Sequence, residues 1–415
     1  MSEKLCRDTP HTPFCLATEA APADVQHPHR ESPPADEQHR VSVAREIADT
    51  PILDKENQPI MCELESKVSN VRVQAINRLI SPRELLKKIP MTPEDAEFVR
   101  ATRLELEHII CGTSDKFVVI AGPCSIHDVS GAVEYATRLS ALCTRFSKNL
   151  LIIMRVYFEK PRTTVGWKGY IYDPHLDGTC QISEGLESAR RLLKDITKLR
   201  VPIACEFLDT ITPQYLSDLV SWGAIGARTV ESQIHRQLAS GLSMPVGFKN
   251  ATSGSIRVAV DAMLSARHPH VFCGTDEDGR CSVVHTLGNS HTHVVLRGAI
   301  DKTNYDSASI EEAEKMMRAE GLPVAVLVDC SHDNSRKNYK NQRAVLSDVL
   351  ATFKAVRNSR VIGVMIESNL VEGKQPIGPH MNFGQSVTDS CVGWIETVHL
   401  VKMISQTVTD KFGAE

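Results

Sequence analysis

Eight short apolar runs, rich in β-branched residues, alternate with segments of amphipathic helical period from residue 117 onward. The runs are residues 117–125, 150–158, 201–207, 222–230, 244–250, 293–299, 324–332 and 361–368. Strands that are apolar throughout and alternate with helices indicate a parallel sheet covered on its outer side. Eight such units over about 290 residues predict an α/β fold, a closed (β/α)8 TIM barrel. An open doubly wound sheet would more often carry a GxGxxG turn, which this sequence lacks.

Each apolar run is followed by a stretch of helical period. The stretches are residues 130–146, 183–199, 213–221, 231–240, 253–267, 306–320, 340–357 and 386–406. One segment interrupts the alternation, because residues 271–286 (VFCGTDEDGRCSVVHT) indicate two short strands joined by a DG turn. The sequence therefore predicts a β-hairpin at about residues 270–287, inserted before the sixth barrel strand.

The N-terminal part of the chain differs in composition from the barrel. Residues 1–60 are rich in Pro, His, Ala and acidic residues, with few large apolar side chains, which predicts a disordered tail. Residues 61–112 are expected to form an arm and two helices used in oligomerisation or regulation, and Thr92 is expected to cap the second helix. Residues 113–415 are assigned to the catalytic barrel.

Charge and hydropathy exclude several classes of protein. A formal net charge of −4 over 415 residues argues against general affinity for nucleic acid. No apolar run approaches the ~18–20 residues of a membrane span. The N-terminus has no apolar signal core and carries several acidic residues, unlike a transit peptide. We therefore expect a cytoplasmic protein with neither a membrane nor a nucleic acid as partner.

A charged or metal-ligand residue is predicted near the carboxyl end of all eight strands, where active sites of such barrels lie. In chain order these residues are Cys124, Arg155, Glu206, Arg228, Lys249, Arg297, His332 and Glu367. Asp389 follows them, and we expect it at the start of the last helix. A single charge at the end of an apolar strand is unremarkable, but this repetition at one end of every strand predicts a functional site.

Four of these residues are candidate metal ligands: Cys124, His332, Glu367 and Asp389. They come from strands one, seven and eight and from the segment just after, and these strands are neighbours in a closed barrel. Their mixture of soft and hard donors suits Mn, Fe, Co, Zn or Cu rather than Ca. Taken singly, Cys124 is as well explained by a buried thiol and His332 by a core imidazole, so the prediction depends on the closed barrel.

The remaining strand ends carry cations and predict a polyanionic ligand. Arg155, Arg228, Lys249 and Arg297 would repel one another if buried without an anion. The loop after strand two adds Lys160, Arg162 and Thr163 in the motif KPRT, which could hold a second phosphate group further out. One metal with two anion sites suits the joining of two phosphorylated small molecules, with the metal polarising a carbonyl group.

Eight segments of the sequence resemble motifs of a known enzyme family. They are AGPCSIHD (121–128), EKPRTTVGWKG (159–169), GARTVESQ (226–233), GFKN (247–250), LRG (296–298), DCSHDNSRKNY (329–339), GVMIES (363–368) and QSVTDSCVGW (385–394). The chain resembles the type I, microbial-type 3-deoxy-D-arabino-heptulosonate-7-phosphate (DAHP) synthases, a feedback-regulated class, from about residue 65 to the C-terminus. The resemblance implies condensation of phosphoenolpyruvate with erythrose 4-phosphate, the first step of the shikimate pathway for aromatic amino acids.

The resemblance also implies a role for each strand-end residue. One divalent metal ion per subunit would be held by Cys124, His332, Glu367 and Asp389. Phosphoenolpyruvate would be held by Arg155, Lys160, Arg228, Lys249 and Arg297. The erythrose phosphate would be held by Arg162 and Thr163, and Asp389 would also face the substrate. Glu206 would lie near the attacking water. Lys160 is the candidate donor of a proton to the developing alkoxide, with His332 sharing in proton transfer.

Feedback inhibition by an aromatic amino acid is a further expectation from the resemblance. The matching effector positions are Ser243, Phe272, Gly274 and Asn70. Gly274 replaces a serine common in phenylalanine-sensitive members, and the extra room favours tyrosine over phenylalanine. Asn70 stands where the family usually has Asp, which puts effector affinity in doubt. The family commonly forms homodimers or homotetramers.

Three other functions are compatible with parts of this pattern. Lys249 at a strand end could form a Schiff base, as in a metal-independent aldolase. A related phosphoenolpyruvate-dependent synthase could use another phosphorylated sugar. A non-catalytic regulatory protein would be expected to have lost some of the strand-end residues, and none is lost here.

Overall fold

The computed structural model describes residues 68–413, so the tail predicted at residues 1–60 lies outside the described residues. The chain divides after Arg78, and the short piece before this boundary is described by itself. Residues 73–78 of that piece have no regular secondary structure, and Val71, Val73 and Ile76 are exposed. The boundaries assigned to the tail, the arm and the barrel stay predictions.

The described chain from Leu79 onward contains twelve strands. They are β1 (Phe117–Gly122), β2 (Leu150–Arg155), β3 (Ile203–Glu206), β4 (Trp222–Ile225), β5 (Val246–Lys249), β6 (Val271–Thr275), β7 (Cys281–His285), β8 (Thr292–Leu296), β9 (Val326–Asp329), β10 (Val361–Glu367), β11 (Val371–Lys374) and β12 (Gln385–Ser386). Eight of them close into a parallel barrel in the order β1, β10, β9, β8, β5, β4, β3, β2. The predicted (β/α)8 TIM barrel is therefore confirmed.

Ten α-helices accompany these strands in the described residues. They are α1 (Pro82–Lys88), α2 (Pro93–Cys111), α3 (Val129–Arg145), α4 (Ile182–Lys198), α5 (Pro213–Leu216), α6 (Gln233–Gly241), α7 (Arg257–Arg267), α8 (Ser307–Ala319), α9 (Gln342–Ala355) and α10 (Trp394–Phe412). The predicted cap is confirmed, because the Thr92 side chain accepts a hydrogen bond from the backbone N–H of Asp95.

The barrel has two apolar layers. The outer layer lies between the strands and the surrounding helices and includes Val119, Leu139 and Leu192. The inner layer fills the barrel and joins side chains such as Ile120 to Leu106 of α2. Helix α2 therefore contributes to the barrel's interior, which leaves the carboxyl ends of the strands for a binding site.

The predicted hairpin is also confirmed. Strands β6 and β7 pair antiparallel, with Val271 opposite His285 and Thr275 opposite Cys281. Along the chain they lie between β5 and β8, and β8 is the sixth barrel strand. They form a separate two-stranded sheet. The two strands pair only with each other and have no helix between them, so they form an insertion rather than a further unit of the barrel.

The last predicted helix is wrong at its start. Residues 386–393, which precede α10, are not helical. Strand β12 pairs with β11, Cys391 forms a β-bridge with Gly373, and Val392 forms one with Ser368. Backbone pairing there replaces the helix, which begins only at Trp394. Asp389 consequently lies in a loop rather than at the start of the helix. No helix in residues 68–413 has both the length and the apolar character that crossing a membrane requires.

Candidate active site

Several buried charged side chains lie at the carboxyl ends of the barrel strands. Arg155, Glu206, Lys249 and Glu367 are the last residues of β2, β3, β5 and β10. Arg297 directly follows β8, and all five residues are buried. Because the strands are parallel, these side chains share one end of the barrel. The position predicted for them from the strand pattern is thus confirmed.

The other three predicted strand-end residues lie beyond the regular strands. Cys124 follows the end of β1 by two residues, and His332 follows the end of β9 by three. Arg228 follows β4 by three residues, in a turn where the backbone N–H of Thr229 donates to the carbonyl of Gly226. The apolar pattern continues past the last ladder hydrogen bond, and this is why the sequence placed these residues on strands.

Each of the three buried cations has a carboxylate partner. The pairs are Arg155–Glu367 at 3.0 Å, Lys249–Glu206 at 2.6 Å and Arg297–Asp333. Burial opposes ionisation of Glu206, but Lys249 outweighs it and lowers the pKa of Glu206 to about 2. The expectation that these cations need a substrate as their counterion is therefore wrong for the free protein, which supplies carboxylates of its own.

Three of the four candidate metal ligands form one group. The Cys124 thiol and the carboxylates of Glu367 and Asp389 have ligand atoms that all lie within 4.8 Å of one another. His332 borders this group, with its Nε2 atom 3.7 Å from Glu367 Oε1. Its Nδ1 atom lies 2.7 Å from Asp329 Oδ2, and this contact directs Nε2 towards Glu367.

The chemistry of the group fits a divalent metal ion. Glu367 Oε1 is buried and forms no hydrogen bond within the described residues, whereas its Oε2 accepts one from Ser331 at 2.7 Å. Burial, with Glu367 beside it, raises the pKa of the Cys124 thiol to about 11. A metal ion that binds there has to displace the thiol proton, as thiolate ligands require. Glu367 Oε1 keeps an ion pair with Arg155 at 3.0 Å, and a buried carboxylate beside a thiol offers the oxygen and sulfur donors that suit a divalent metal ion.

Lys160 connects the metal-binding group to the loop after β2. Its Nζ atom donates to the Cys124 carbonyl oxygen at 3.1 Å and to Cys124 Sγ at 3.3 Å. Burial opposes its charge, but Cys124, Glu367 and Asp389 outweigh burial and raise the pKa of Lys160. Lys160 is therefore a charged ammonium group at neutral pH, which can donate a proton but is a poor nucleophile.

The outer basic residues are exposed and lie on two loops. Arg228 Nε donates to Thr163 Oγ1 at 3.2 Å, so these two side chains meet at the barrel mouth. Arg162 directly precedes Thr163 in the sequence, and its Nε donates to the carbonyl of Trp167 at 2.7 Å. Arg228 contacts Thr163 because its loop extends past the end of β4, and its predicted role in the inner anion site stays a prediction.

Comparison with known proteins assigns the family. Residues 88–402 match the sequence profile of the DAHP synthetase I family. The chain belongs to this family. The Phe-sensitive phospho-2-dehydro-3-deoxyheptonate aldolase of Escherichia coli K12 is 48% identical over 346 residues, which are 83% of this chain and 98% of that enzyme.

Members of the DAHP synthetase I family with another effector are nearly as similar. The Tyr-sensitive enzyme of E. coli K12 is 45% identical over 350 residues, 84% of this chain and 98% of that enzyme. A solved phospho-2-dehydro-3-deoxyheptonate aldolase from Francisella tularensis SCHU S4 is 47% identical, with a TM-score of 0.81 over 82% of this chain and all of that one. Identity to the family therefore does not decide the effector.

Three of the predicted effector residues, Ser243, Phe272 and Gly274, lie on two separate segments of the barrel unit, and their role as an effector site stays a prediction. Ser243 lines a cavity of about 510 Å³ together with side chains of α2, whereas Phe272 and Gly274 lie half-buried on β6. Asn70 lies before Arg78, in the separately described piece, with a left-handed φ of 56°. A Cβ atom on Gly274 would lie 2.7 Å from Val284 Cγ2. The room expected beside Gly274 is consequently taken by Val284.

Three residues near the site were missed by the sequence reasoning. Asp329 contacts His332, Asp333 pairs with Arg297, and the ring of Tyr157 lies 3.6 Å from the guanidinium group of Arg155. The available signal was the motif DCSHD, which places a carboxylate on each side of His332. Only the tertiary structure assigns those two carboxylates to different partners.

Proposed function

We propose that this chain is a metal-dependent DAHP synthase, which condenses phosphoenolpyruvate with erythrose 4-phosphate and releases inorganic phosphate. Family membership supports the reaction class. The observation that carries the proposal is the group of candidate metal ligands Cys124, Glu367 and Asp389, with Lys160 Nζ 3.3 Å from Cys124 Sγ at the start of the loop that carries Thr163.

The proposed metal ligands are Cys124, His332, Glu367 and Asp389. When bound, the ion supplies Lewis-acid polarisation of the aldehyde carbonyl of erythrose 4-phosphate. Their mixed sulfur, nitrogen and oxygen donors are compatible with Mn, Fe, Co, Zn or Cu. His332 enters this set because its Nε2 atom borders Glu367, while Asp329 holds its other nitrogen.

Phosphoenolpyruvate is proposed to bind at the buried cations. Arg155, Lys160, Lys249 and Arg297 would contact its carboxylate and phosphate, with Arg228 at the outer edge. Arginine offers bidentate hydrogen bonds to both groups, and an incoming anion competes with the internal carboxylate partners. Arg162 and Thr163 would hold the phosphate of erythrose 4-phosphate, and Asp389 would face that substrate from the opposite loop.

The proposed reaction forms one C–C bond between the substrates and one C–O bond from water, and it breaks the C–O bond to the phosphate. C3 of phosphoenolpyruvate attacks the aldehyde carbon, and the Lys160 ammonium protonates the oxygen that becomes a hydroxyl group. Water adds to the resulting cationic C2, and the phosphate leaves with its bridging oxygen as the ketone forms. Glu206, held ionised by Lys249, can orient this water and accept its proton.

A Schiff-base mechanism through Lys249 is less compatible with the site. Lys249 Nζ lies 2.6 Å from Glu206 Oε2 in a buried ion pair, so it is engaged by a carboxylate rather than free to attack a carbonyl group. Borohydride reduction in the presence of substrate distinguishes the two routes. We expect no covalent adduct on Lys249 and full inactivation by a chelator.

The test of the proposed function is consumption of phosphoenolpyruvate by the metal-reconstituted protein. We expect consumption only when erythrose 4-phosphate is present, with one phosphate released for each product. Other phosphorylated sugars serve as competitors, and a faster reaction with one of them would assign the chain to a related synthase. No consumption by a folded, metal-loaded protein would reject the proposal.

Tyrosine is the proposed effector, with Ser243, Phe272, Gly274 and Asn70 as candidate residues. Because Val284 fills the space beside Gly274, the proposal rests on the similarity to Tyr-sensitive relatives and not on extra room there. We expect tyrosine to inhibit phosphoenolpyruvate consumption at lower concentration than phenylalanine, with tryptophan weakest. Inhibition curves for each amino acid measure this order, and inhibition by phenylalanine alone would contradict it. Cytoplasmic location, and assembly into homodimers or homotetramers through residues 61–112, are proposed with it.

Asp329 provides a further prediction, because its carboxylate holds His332. Replacing Asp329 with asparagine keeps the shape of the side chain but removes its charge. Loss of such an outer partner typically lowers metal affinity by about 10 to 100-fold, and we expect a decrease of this size. Metal titration measures it. The control is Asp348→Asn at an exposed position of α9, and unchanged affinity in Asp329→Asn would contradict the assigned contact.

A further inference from the structure

Glu159 directly precedes Lys160, yet the reaction proposed above gives it no role. Its side chain is only 3% exposed. A buried carboxyl group is costly unless hydrogen bonds or a cation compensate for lost hydration. The groups that bond it are two backbone N–H groups and two hydroxyl groups, none of which carries a positive charge. Such a group requires an explanation of its own.

The carboxyl group of Glu159 links the loop after β2 to the loop after β3 through hydrogen bonds. Its Oε1 atom accepts a hydrogen bond from the backbone N–H of Asp209 at 3.2 Å. Its Oε2 atom accepts one from the N–H of Leu208 at 3.3 Å and one from Thr212 Oγ1 at 3.1 Å. All three donors lie in the segment between β3 and α5. The chain that leaves β2 is thereby held to the chain that leaves β3, immediately before Lys160.

Tyr172 also contacts Glu159, and its single hydroxyl proton lies between two carboxyl groups. Its hydroxyl oxygen lies 3.1 Å from Glu159 Oε1 and 3.0 Å from Asp209 Oδ2. A tyrosine hydroxyl has one proton, so it can donate to only one of two carboxylates. Both contacts become hydrogen bonds if Glu159 is protonated and donates to Tyr172, which then donates to Asp209. The geometry therefore accommodates one additional proton.

Burial supports this protonation. Burial is the main cause that raises the pKa of Glu159 to about 7, and the charge of Asp209 adds to it against the hydrogen bond from Leu208. Burial and the two carboxylates also raise the pKa of Tyr172, which keeps its proton. Among the residues that the structure describes, Cys205 on β3 is the other titratable group that faces Glu159. Burial raises the pKa of this residue, so it stays a neutral thiol.

The position of Lys160 depends on where Glu159 is held. The backbone N–H of Lys160 donates to the carbonyl of Lys168 at 2.9 Å, which closes the intervening loop. Gly169 then passes so close to the chain that a Cβ atom there would lie 2.0 Å from the Phe158 carbonyl oxygen. A loop packed this tightly moves as one piece, so a shift of Glu159 displaces Lys160 from Cys124.

We propose that Glu159 is a positioning residue, which holds Lys160 at the metal-binding group through a proton shared with Tyr172 and Asp209. The proposal rests on the function inferred above. When the proton is lost, two carboxylates face one hydroxyl group, and their repulsion loosens the loop. Folding raises the pKa of Glu159 from 4.5 to about 7. The stabilisation of the folded loop by the Glu159 proton is therefore fully present below pH 4.5 and is lost as the pH rises through about 7.

The test compares kcat and KM of the wild-type protein and Glu159→Gln between pH 5.5 and 8.5. Glutamine has nearly the same shape as protonated glutamate and cannot lose the proton. We expect the wild-type kcat to fall as the pH rises through about 7, by up to about 10²-fold for a displacement near 1 Å. We expect this step to be absent in Glu159→Gln. Because its amide nitrogen can donate to Tyr172 but cannot accept from the backbone N–H of Asp209, the comparison uses the pH dependence of kcat and not its absolute value.

A fluorescence titration gives an answer that does not depend on activity. Trp167 lies on the same loop, and its Nε1 atom donates to the Asp173 carbonyl at 2.9 Å. We expect the emission of the wild type to change near pH 7, and this change to be absent in both Glu159→Gln and Trp167→Phe. If Glu159→Gln fails to fold, Tyr172→Phe replaces it. Removal of the bridging hydroxyl is then expected to lower kcat at pH 6.

The outcomes separate the two proposals. Identical pH profiles of kcat and fluorescence in the wild type and in Glu159→Gln overturn the role of Glu159, while consumption of phosphoenolpyruvate by both proteins leaves the proposed function standing. If the wild type consumes no phosphoenolpyruvate, the proposed function fails, and the fluorescence titration still decides whether Glu159 controls the loop.

Discussion

Replacing Lys160 with methionine is expected to lower kcat by about 10² to 10⁴-fold, the range that a positioned general acid contributes. The bound metal should remain at wild-type content. Methionine keeps the length of the side chain but cannot donate a proton or carry a charge. The lost ammonium group lies 3.3 Å from Cys124 Sγ, so it adjoins the metal-binding group without belonging to it. Phosphoenolpyruvate consumption and elemental analysis of the same preparation measure the two quantities.

The matched control for this variant is Lys168→Met. Lys168 is an exposed cation on the same loop, and its contact with Lys160 uses only its backbone carbonyl. Its replacement should change kcat by less than about twofold, because surface substitutions away from special contacts have small effects. A parallel loss of metal and activity in Lys160→Met would show that Lys160 holds the metal-binding group together, and would contradict its role as acid.

Replacing Cys124 with alanine is expected to remove most of the bound metal and the activity together. The thiol is fully buried beside the carboxylates of Glu367 and Asp389, and it is the sulfur atom of this group of ligands within residues 68–413. Loss of even an outer partner of a ligand lowers metal affinity by about 10 to 100-fold, and loss of a ligand itself should exceed this range. Metal content after dialysis, and kcat as added metal increases, measure the effect.

Cys143→Ala is the control for the removal of a thiol. Cys143 lies on α3, where its Sγ atom donates to the carbonyl of Ile152 at 3.7 Å, away from the metal-binding group. It should keep the metal content and kcat of the wild type. Full metal content in Cys124→Ala would remove this residue from the proposed ligands and leave the thiol as a buried apolar side chain.

The internal ion pairs provide the buried cations at the strand ends with carboxylate counterions in the free protein. Buried cations without partners would destabilise the free protein, and the carboxylates of Glu206, Glu367 and Asp333 prevent this. Removing one carboxylate should therefore be more damaging than removing both partners of a pair. The substrate anions are expected to enter by exchange with these carboxylates rather than into an empty cationic pocket.

The sequence by itself determined the architecture and the chemical inventory of the site. Eight apolar runs alternating with helical periods were sufficient for a (β/α)8 barrel, because strands buried on both faces have no polar side and strand ends share one rim. Cys124, Arg155, Glu206, Lys249, Arg297 and Glu367 were predicted at this rim, and all of them lie there. These are local signals, since each depends only on its own strand and the turn that follows.

The tertiary structure decided which side chains meet. Contacts such as Arg155 with Glu367, and Asp389 with Cys124, join residues more than 200 positions apart, and no periodicity records such a pairing. The same limit explains why Asp389 lies in a loop instead of at the start of a helix, and why Arg228 lies beyond the end of β4 instead of on the strand. It also explains why Glu159 was passed over. The role of the buried Glu159 carboxyl group depends on hydrogen-bond donors that only the tertiary structure places next to it.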